Sequence, residues 1–310
     1  METGISRRGL MTAAAAVPLA AVLPGPAAHA AGNGVARRLR AMEEAYQGRI
    51  GLAAFDTGSG RSVTYRADER FALCSTFKFL AAAAILDKAR RDDSGLLDRP
   101  VYYTEVIDGS KITGAPENLS RGFMTVRELC DATIATSDNT AGNLLLEQLG
   151  GPRAIGAFAR TLGDRRTRLD RTEPSLNTNL PGDLRDTTTP AAMARDVCAL
   201  TVGTALAAPD REQLNRWLEG CRTGDERIRK AMPAGWRVGD KTGTGERGAA
   251  NDIAVVRPPG RAPLVIAVYT TRVGSTETGD SAVIARAAGV ARCALVPSSC
   301  AGAGCACRTT

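Results

Sequence analysis

One histidine stands in 310 residues, His29. That near-absence excludes more chemistry than any other feature of the composition. His29 lies in an N-terminal segment that reads as removable, so a serine hydrolase with a histidine base is excluded for the mature protein. Lysine or a carboxylate is left to activate a serine. Beyond the first 30 residues no run approaches the roughly 18 apolar residues that span a bilayer, which predicts a soluble mature protein with no membrane partner. Charge is not blocked either: 40 basic and 33 acidic residues, net +7, are scattered, with nothing longer than pairs such as Arg37-Arg38 and Arg90-Arg91. No nucleic-acid surface is indicated.

The eight cysteines lack the spacing of a disulfide framework or a zinc module. Cys74, Cys130, Cys198, Cys221 and Cys293 are separated singletons in apolar or helical contexts, expected as buried thiols. Cys300, Cys305 and Cys307 fall in a Gly/Ala/Ser tail, residues 297–310, expected to be disordered. No metal and no cofactor is expected.

The N-terminus carries Arg7-Arg8, an uncharged alanine-rich run over residues 11–23 and the small-x-small triplet Ala28-His29-Ala30. Residues 1–30 are therefore expected to be an export signal, placing the product outside the cytoplasm, in the cell envelope or beyond. Ser6-Arg7-Arg8-Gly9-Leu10 has the look of a twin-arginine signal; an ordinary secretory signal is the alternative.

Hydrophobic periodicity predicts a helix over 35–46, then strands over 50–55 and 61–65 about the turn Asp56-Thr57-Gly58-Ser59-Gly60. Residues 77–90 are apolar almost all round, as in a helix buried within a lobe. A middle block of helix and loop follows, with two helices meeting at Ser137-Asp138-Asn139 and others over 152–162, 190–202 and 209–218. Strands return over 236–244, 251–257 and 264–271, and a last helix covers 280–290. The expected fold is α+β: one antiparallel sheet flanked by terminal helices, with an all-helical lobe inserted. In residue terms, the domain spans 31–296, with an α/β lobe of 31–73 plus 219–296 and a helical lobe of 74–218.

Ser75-Thr76-Phe77-Lys78 places a hydroxyl and an amine one helical turn apart, on one face and close enough for proton transfer. At a helix start the serine also gains the positive end of the dipole and free N–H groups for an oxyanion. Alone, Ser-x-x-Lys is common. Here it is followed in order by Ser137-Asp138-Asn139, Glu173-Pro174-Ser175-Leu176-Asn177 and Lys241-Thr242-Gly243.

This set resembles the class A serine β-lactamases over about residues 35–296. The resemblance implies hydrolysis of β-lactam antibiotics through an acyl-serine, by a monomer, with Ser75 as nucleophile. It implies an oxyanion hole from the N–H groups of Ser75 and Thr244. Either Lys78 or Glu173, the latter through a water, takes the first proton. Ser137 would protonate the departing nitrogen, and Asn139 would bind the substrate's side-chain amide. Lys241, Thr242, Gly243 and Thr244 would hold the substrate carboxylate, with Arg227 reinforcing them from below. Glu173 and Asn177 would hold the deacylating water, on a loop closed by an Arg171–Asp186 ion pair. Two departures stand out: residues 106–119 contain no aromatic for the mouth of the site, and Gly245 replaces the cysteine that could bridge to Cys74. Cys130 likewise lacks its partner, Ala82 standing there. A D-alanyl-D-alanine peptidase shares three of the four elements, but not Glu173 and Asn177. A β-lactam receptor would need a membrane segment or partner domain.

Overall fold

The last third of the chain supplies three long strands that are apolar on both faces, and such strands need cover on both sides. The computed structural model, which describes residues 26–300 except 273 and 275, shows how they get it. In chain order the elements are α1 (Pro26–Tyr46), β1 (Gly48–Asp56), β2 (Ser62–Tyr65), β3 (Phe71–Ala72), α2 (Phe77–Arg91), β4 (Pro100–Tyr102), α3 (Pro116–Arg121), β5 (Phe123–Thr125), α4 (Val126–Ala135), α5 (Asn139–Leu149), α6 (Arg153–Thr161), β6 (Thr187–Thr188), α7 (Pro190–Thr201), α8 (Ala208–Glu219), β7 (Arg237–Thr244), β8 (Ala250–Arg257), β9 (Leu264–Arg272) and α9 (Ser281–Leu295).

The main sheet is antiparallel in the order β2-β1-β9-β8-β7. Early and late strands thus join, Leu52 pairing with Val268. Alternation along β9 splits the core in two: Val265, Ala267 and Tyr269 face the helices around α2, while Leu264, Ile266 and Val268 face α1 and α9. α2 is the hub of the first cluster, its residues 77–86 all buried, and four successive alanines let α4, α5, α6 and α8 close around it. β7 is an edge strand, which leaves one row of its backbone groups free of sheet partners.

The block expected to be helix and loop also carries short strands: β4 pairs with β5 inside it, and β6 pairs with β3 from the segment just before it. Two or three residues are too few for an alternating pattern to show in sequence. α1 begins at Pro26, inside the expected export signal; residues 1–25 lie outside the described residues.

Cys293 is not a buried thiol. It is bonded to Cys300, seven residues on, with Cα atoms 5.7 Å apart. The chain turns back after α9 in a 3₁₀ helix, Pro297–Cys300, where Ser299 N–H donates to Val296 O, and that brings the two sulfurs together. The expected disordered tail is therefore ordered through Cys300; residues 301–310, with Cys305 and Cys307, lie outside the described residues. Cys74, Cys130, Cys198 and Cys221 are free thiols, only Cys198 less than fully buried.

Candidate active site

Ser75 sits in a 3₁₀ turn, Cys74–Thr76, that runs straight into α2. Thr76 fixes the turn: its hydroxyl donates to Leu73 O at 2.6 Å and lies 3.1 Å from the buried Tyr269 hydroxyl. Cys74 is held at φ 46°, a left-handed conformation that costs a non-glycine residue about 1–3 kcal/mol and persists only where neighbours enforce it.

One turn later Lys78 is fully buried, and its Nζ lies 3.0 Å from Ser75 Oγ. Nζ also lies 2.7 Å from Ser137 O, 2.7 Å from Asn139 Oδ1 and 2.9 Å from Glu173 Oε1. An ammonium has three protons for these four oxygens, so one of them must be satisfied from elsewhere or share a proton. Ser75 is the only one that can donate, and its hydroxyl reaches Glu173 Oε1 at 2.9 Å. Burial pushes the Lys78 amine below its ordinary value, against the pull of Glu173.

Ser137 and Asn139 arrive at the junction of α4 and α5. Asp138 organises that junction, its Oδ1 capping α5 through Ala141 N–H and its Oδ2 accepting from Ile112 and Thr113 N–H, each at 2.9 Å. Ser137 takes φ 60° beside it, and its hydroxyl accepts from Lys241 Nζ at 3.0 Å. Asn139 Nδ2 donates to Asp108 O at 2.7 Å.

Lys241 is fully buried on β7, and burial, with Lys78 nearby, lowers it to about 8. Gly243 explains how the strand meets the nucleophile: a Cβ there would stand 3.1 Å from Leu73 O and 3.2 Å from Ser75 N, with no room for larger groups. Gly245 N–H bonds inward to Ala249 O. Alternation therefore aims Thr244 N–H outward from the edge, beside the start of α2. Behind the strand Arg227 is buried, donating to Gly243 O, Asn251 O and Thr244 Oγ1, each at 2.7 Å.

Glu173 comes in on the loop between α6 and β6. Asn143 clamps its peptide from both sides, accepting from Glu173 N–H at 2.9 Å and donating to Glu173 O at 3.0 Å. The Glu173-Pro174 bond is cis, and a 3₁₀ turn, Ser175–Asn177, returns Asn177 Nδ2 to 2.5 Å from Glu173 Oε2. Asn177 Oδ1 is buried without a protein partner. Arg171 Nε and Asp186 Oδ2 meet at 2.6 Å, and Asp186 also accepts from Asp170 and Arg171 N–H.

Ser75, Lys78, Ser137, Asn139, Glu173, Asn177 and the Lys241–Thr244 stretch thus gather between α2, α5, β7 and the 171–186 loop, with Arg227 behind β7. Comparison with known proteins supplies the family. Residues 34–292 match the profile of the Beta-lactamase enzyme family.

The chain belongs to that family.

A β-lactamase of Streptomyces fradiae is 48% identical over 293 residues, covering 93% of each chain. The carbapenem-hydrolyzing β-lactamase KPC of Klebsiella oxytoca is 50% identical over 272 residues, 87% of this chain and 92% of its own. Among solved structures, a β-lactamase from Streptosporangium roseum superposes with a TM-score of 0.82 at 48% identity, over 85% of this chain and 99% of that one.

In this β-lactamase the two tyrosines ahead of the 106–119 segment part ways. Tyr103 turns inward, its hydroxyl donating to Thr113 O at 3.0 Å, and Tyr102 faces solvent against Phe123. Asp108 and Gly109 take the place beside Asn139. Cys74 is pushed up to about 12 by burial and stays a thiol. Sequence reading missed Asn143, although it lies four residues after Asn139 on the same face of α5. It also missed Thr223, whose hydroxyl is 2.6 Å from that of Thr242, and nothing local marks it.

Proposed function

We propose that this chain hydrolyses β-lactams through an acyl-serine formed on Ser75. Ser75 Oγ attacks the ring carbonyl carbon, with the N–H groups of Ser75 and Thr244 receiving the developing oxyanion. The hydroxyl proton leaves to Glu173 or to neutral Lys78; both lie within 3.0 Å of Ser75 Oγ, so neither needs a bridging water. The C–N bond breaks, and Ser137 delivers a proton to the ring nitrogen, replenished from the Lys78–Lys241 side. Asn139 holds the substrate's side-chain amide; Lys241, Thr242, Gly243 and Thr244 hold its carboxylate, with Arg227 behind.

Release of the product separates an enzyme from a protein that only becomes acylated. Glu173, with Asn177 Nδ2 at 2.5 Å and Asn177 Oδ1 left as an unfilled acceptor, carries that step. A water donating to both would be aimed at the ester carbonyl; its proton would pass to Glu173 as its oxygen forms the new C–O bond, and the acyl bond to Ser75 Oγ would then break as Oγ takes a proton back from Glu173 or Lys78. This arrangement is the observation that carries the proposal.

The catalytic domain is residues 31–296, acting as a monomer outside the cytoplasm after loss of residues 1–30, by the twin-arginine or the general secretory route. No helix among the described residues is long and apolar enough to cross a membrane. A stopped-flow and mass-spectrometric time course with a chromogenic cephalosporin tests the reading. Multiple turnover with a transient adduct on Ser75 is expected; a single burst and a stable adduct would overturn it.

A further inference from the structure

The loop after α8 joins the two sides of the cleft. Arg222 N–H donates to Ala135 O at the end of α4, 2.9 Å away. At its other end Gly224 lies so tightly on β7 that a Cβ would stand 1.8 Å from Asp240 Oδ2. Between these anchors Thr223 Oγ1 is 2.6 Å from Thr242 Oγ1, and Cys221 Sγ is 3.3 Å from Thr223 Oγ1.

We propose that Thr223 is a positioning residue for carboxylate recognition: its hydroxyl donates to Thr242, which leaves the Thr242 proton for the substrate carboxylate. The inference rests on the β-lactam reading above. Each hydroxyl has one proton, and at 2.6 Å one of the two must donate to the other. If Thr242 donated to Thr223, it would show a carboxylate only lone pairs. With Thr223 as donor, Thr242 faces the anion with its proton, and the short bond behind polarises it further.

Both ends of the chain favour this direction. At the back, Cys221 Sγ lies 3.3 Å from Thr223 Oγ1 and is a weak acceptor, so it competes poorly for the Thr223 proton. At the front, a bound carboxylate draws the protons of the chain toward itself. Thr244, two residues along β7, repeats the design without ambiguity. Arg227 Nη2 can only donate, and it gives its proton to Thr244 Oγ1 at 2.7 Å. Two threonine hydroxyls on one strand are therefore each supplied from behind, so that both present donors to one carboxylate. Thr223 is itself exposed, so replacing it disturbs no core packing.

The test compares benzylpenicillin with its methyl ester, following both steady-state turnover and the rate of adduct formation on Ser75. In Thr223→Val the KM for the acid should rise about tenfold, the loss of one hydrogen bond to a charged group. Its kcat should be unchanged, and both constants for the ester should stay at wild-type values. Thr223→Ser should restore the acid's KM. An equal loss on acid and ester, or no change on either, would overturn the role of Thr223 while leaving the acyl-serine reading intact. Absence of any Ser75 adduct in the wild-type chain would overturn both.

Discussion

Lys78 Nζ and Glu173 Oε1 lie 2.9 Å apart, and neither side chain has any exposure to solvent. A pair this deep is held by its hydrogen bonds as much as by its charges, and removing one partner strands the other. Glu173→Gln keeps the volume but removes the base. Ser75 should still be acylated, while release of the acyl group slows by about 10²–10⁴. Intact-protein mass spectrometry should show the adduct persisting for minutes or longer; wild-type turnover in this variant would remove Glu173 from the mechanism.

Lys241 predicts a pH limb. Burial brings its value down to about 8, so the ammonium is present below that pH and is lost as pH rises through it. For substrates with a free carboxylate, kcat/KM should fall on the alkaline side near pH 8. The corresponding methyl esters should lack that limb. A common limb in acid and ester would assign it to the proton relay through Ser137, in which Lys241 and Lys78 both stand, and not to carboxylate binding.

Asp186 is buried where Arg171 meets it, its side chain 1% exposed. Arg171→Ala leaves that carboxylate only two backbone N–H partners. A loss of about 3 kcal/mol is expected by urea unfolding. Hydrogen exchange should quicken over residues 171–186, and deacylation should suffer more than acylation, because Glu173 and Asn177 ride on this loop.

The Cys293–Cys300 bond closes a short loop on the far side of the sheet from Ser75. Cys300→Ser should cost about 2 kcal/mol by loop entropy, read as a lower Tm. Turnover at 25 °C should be unaffected. A loss of activity without a loss of stability would mean that α9 transmits strain to the site.

Gly245 faces Cys74 directly: a Cβ there would lie 2.7 Å from Cys74 Sγ, close to the spacing across a disulfide. Gly245→Cys should therefore pair with Cys74 on oxidation, removing both thiols from a titration of the unfolded chain. The same Cβ would lie 2.8 Å from Asn177 O, so the bridge should also shift Asn177 and slow deacylation. A thiol count undiminished by oxidation would show that Asn177 does not yield.

Sequence carried much of this site because its chemistry is local. Ser75 and Lys78 share one turn, Ser137 and Asn139 flank one helix start, and Glu173 and Asn177 share one loop. The positions of the long strands were legible for a similar reason, since each is an unbroken β-rich run bounded by turn residues; their order in the sheet was not. What sequence did not reveal lies between segments far apart in the chain. The direct contact of Ser75 with Glu173, where a water was expected between them, is one case. Thr223 against Thr242 and the ladders β3–β6 and β4–β5 are others. Cys300 was misread because a tail rich in small residues gives no signal that it folds back onto α9.

The pairing of β1 with β9 has a consequence in time. β1 is among the first segments to leave the ribosome and β9 among the last, yet β1 cannot complete its ladder until β9 arrives. β7, which carries Lys241, becomes part of that sheet only through β8 and β9. A nascent chain therefore holds Ser75 and Lys78 long before it holds a working cleft. A fragment that stops short of β9 holds the nucleophile without the sheet that completes its cleft.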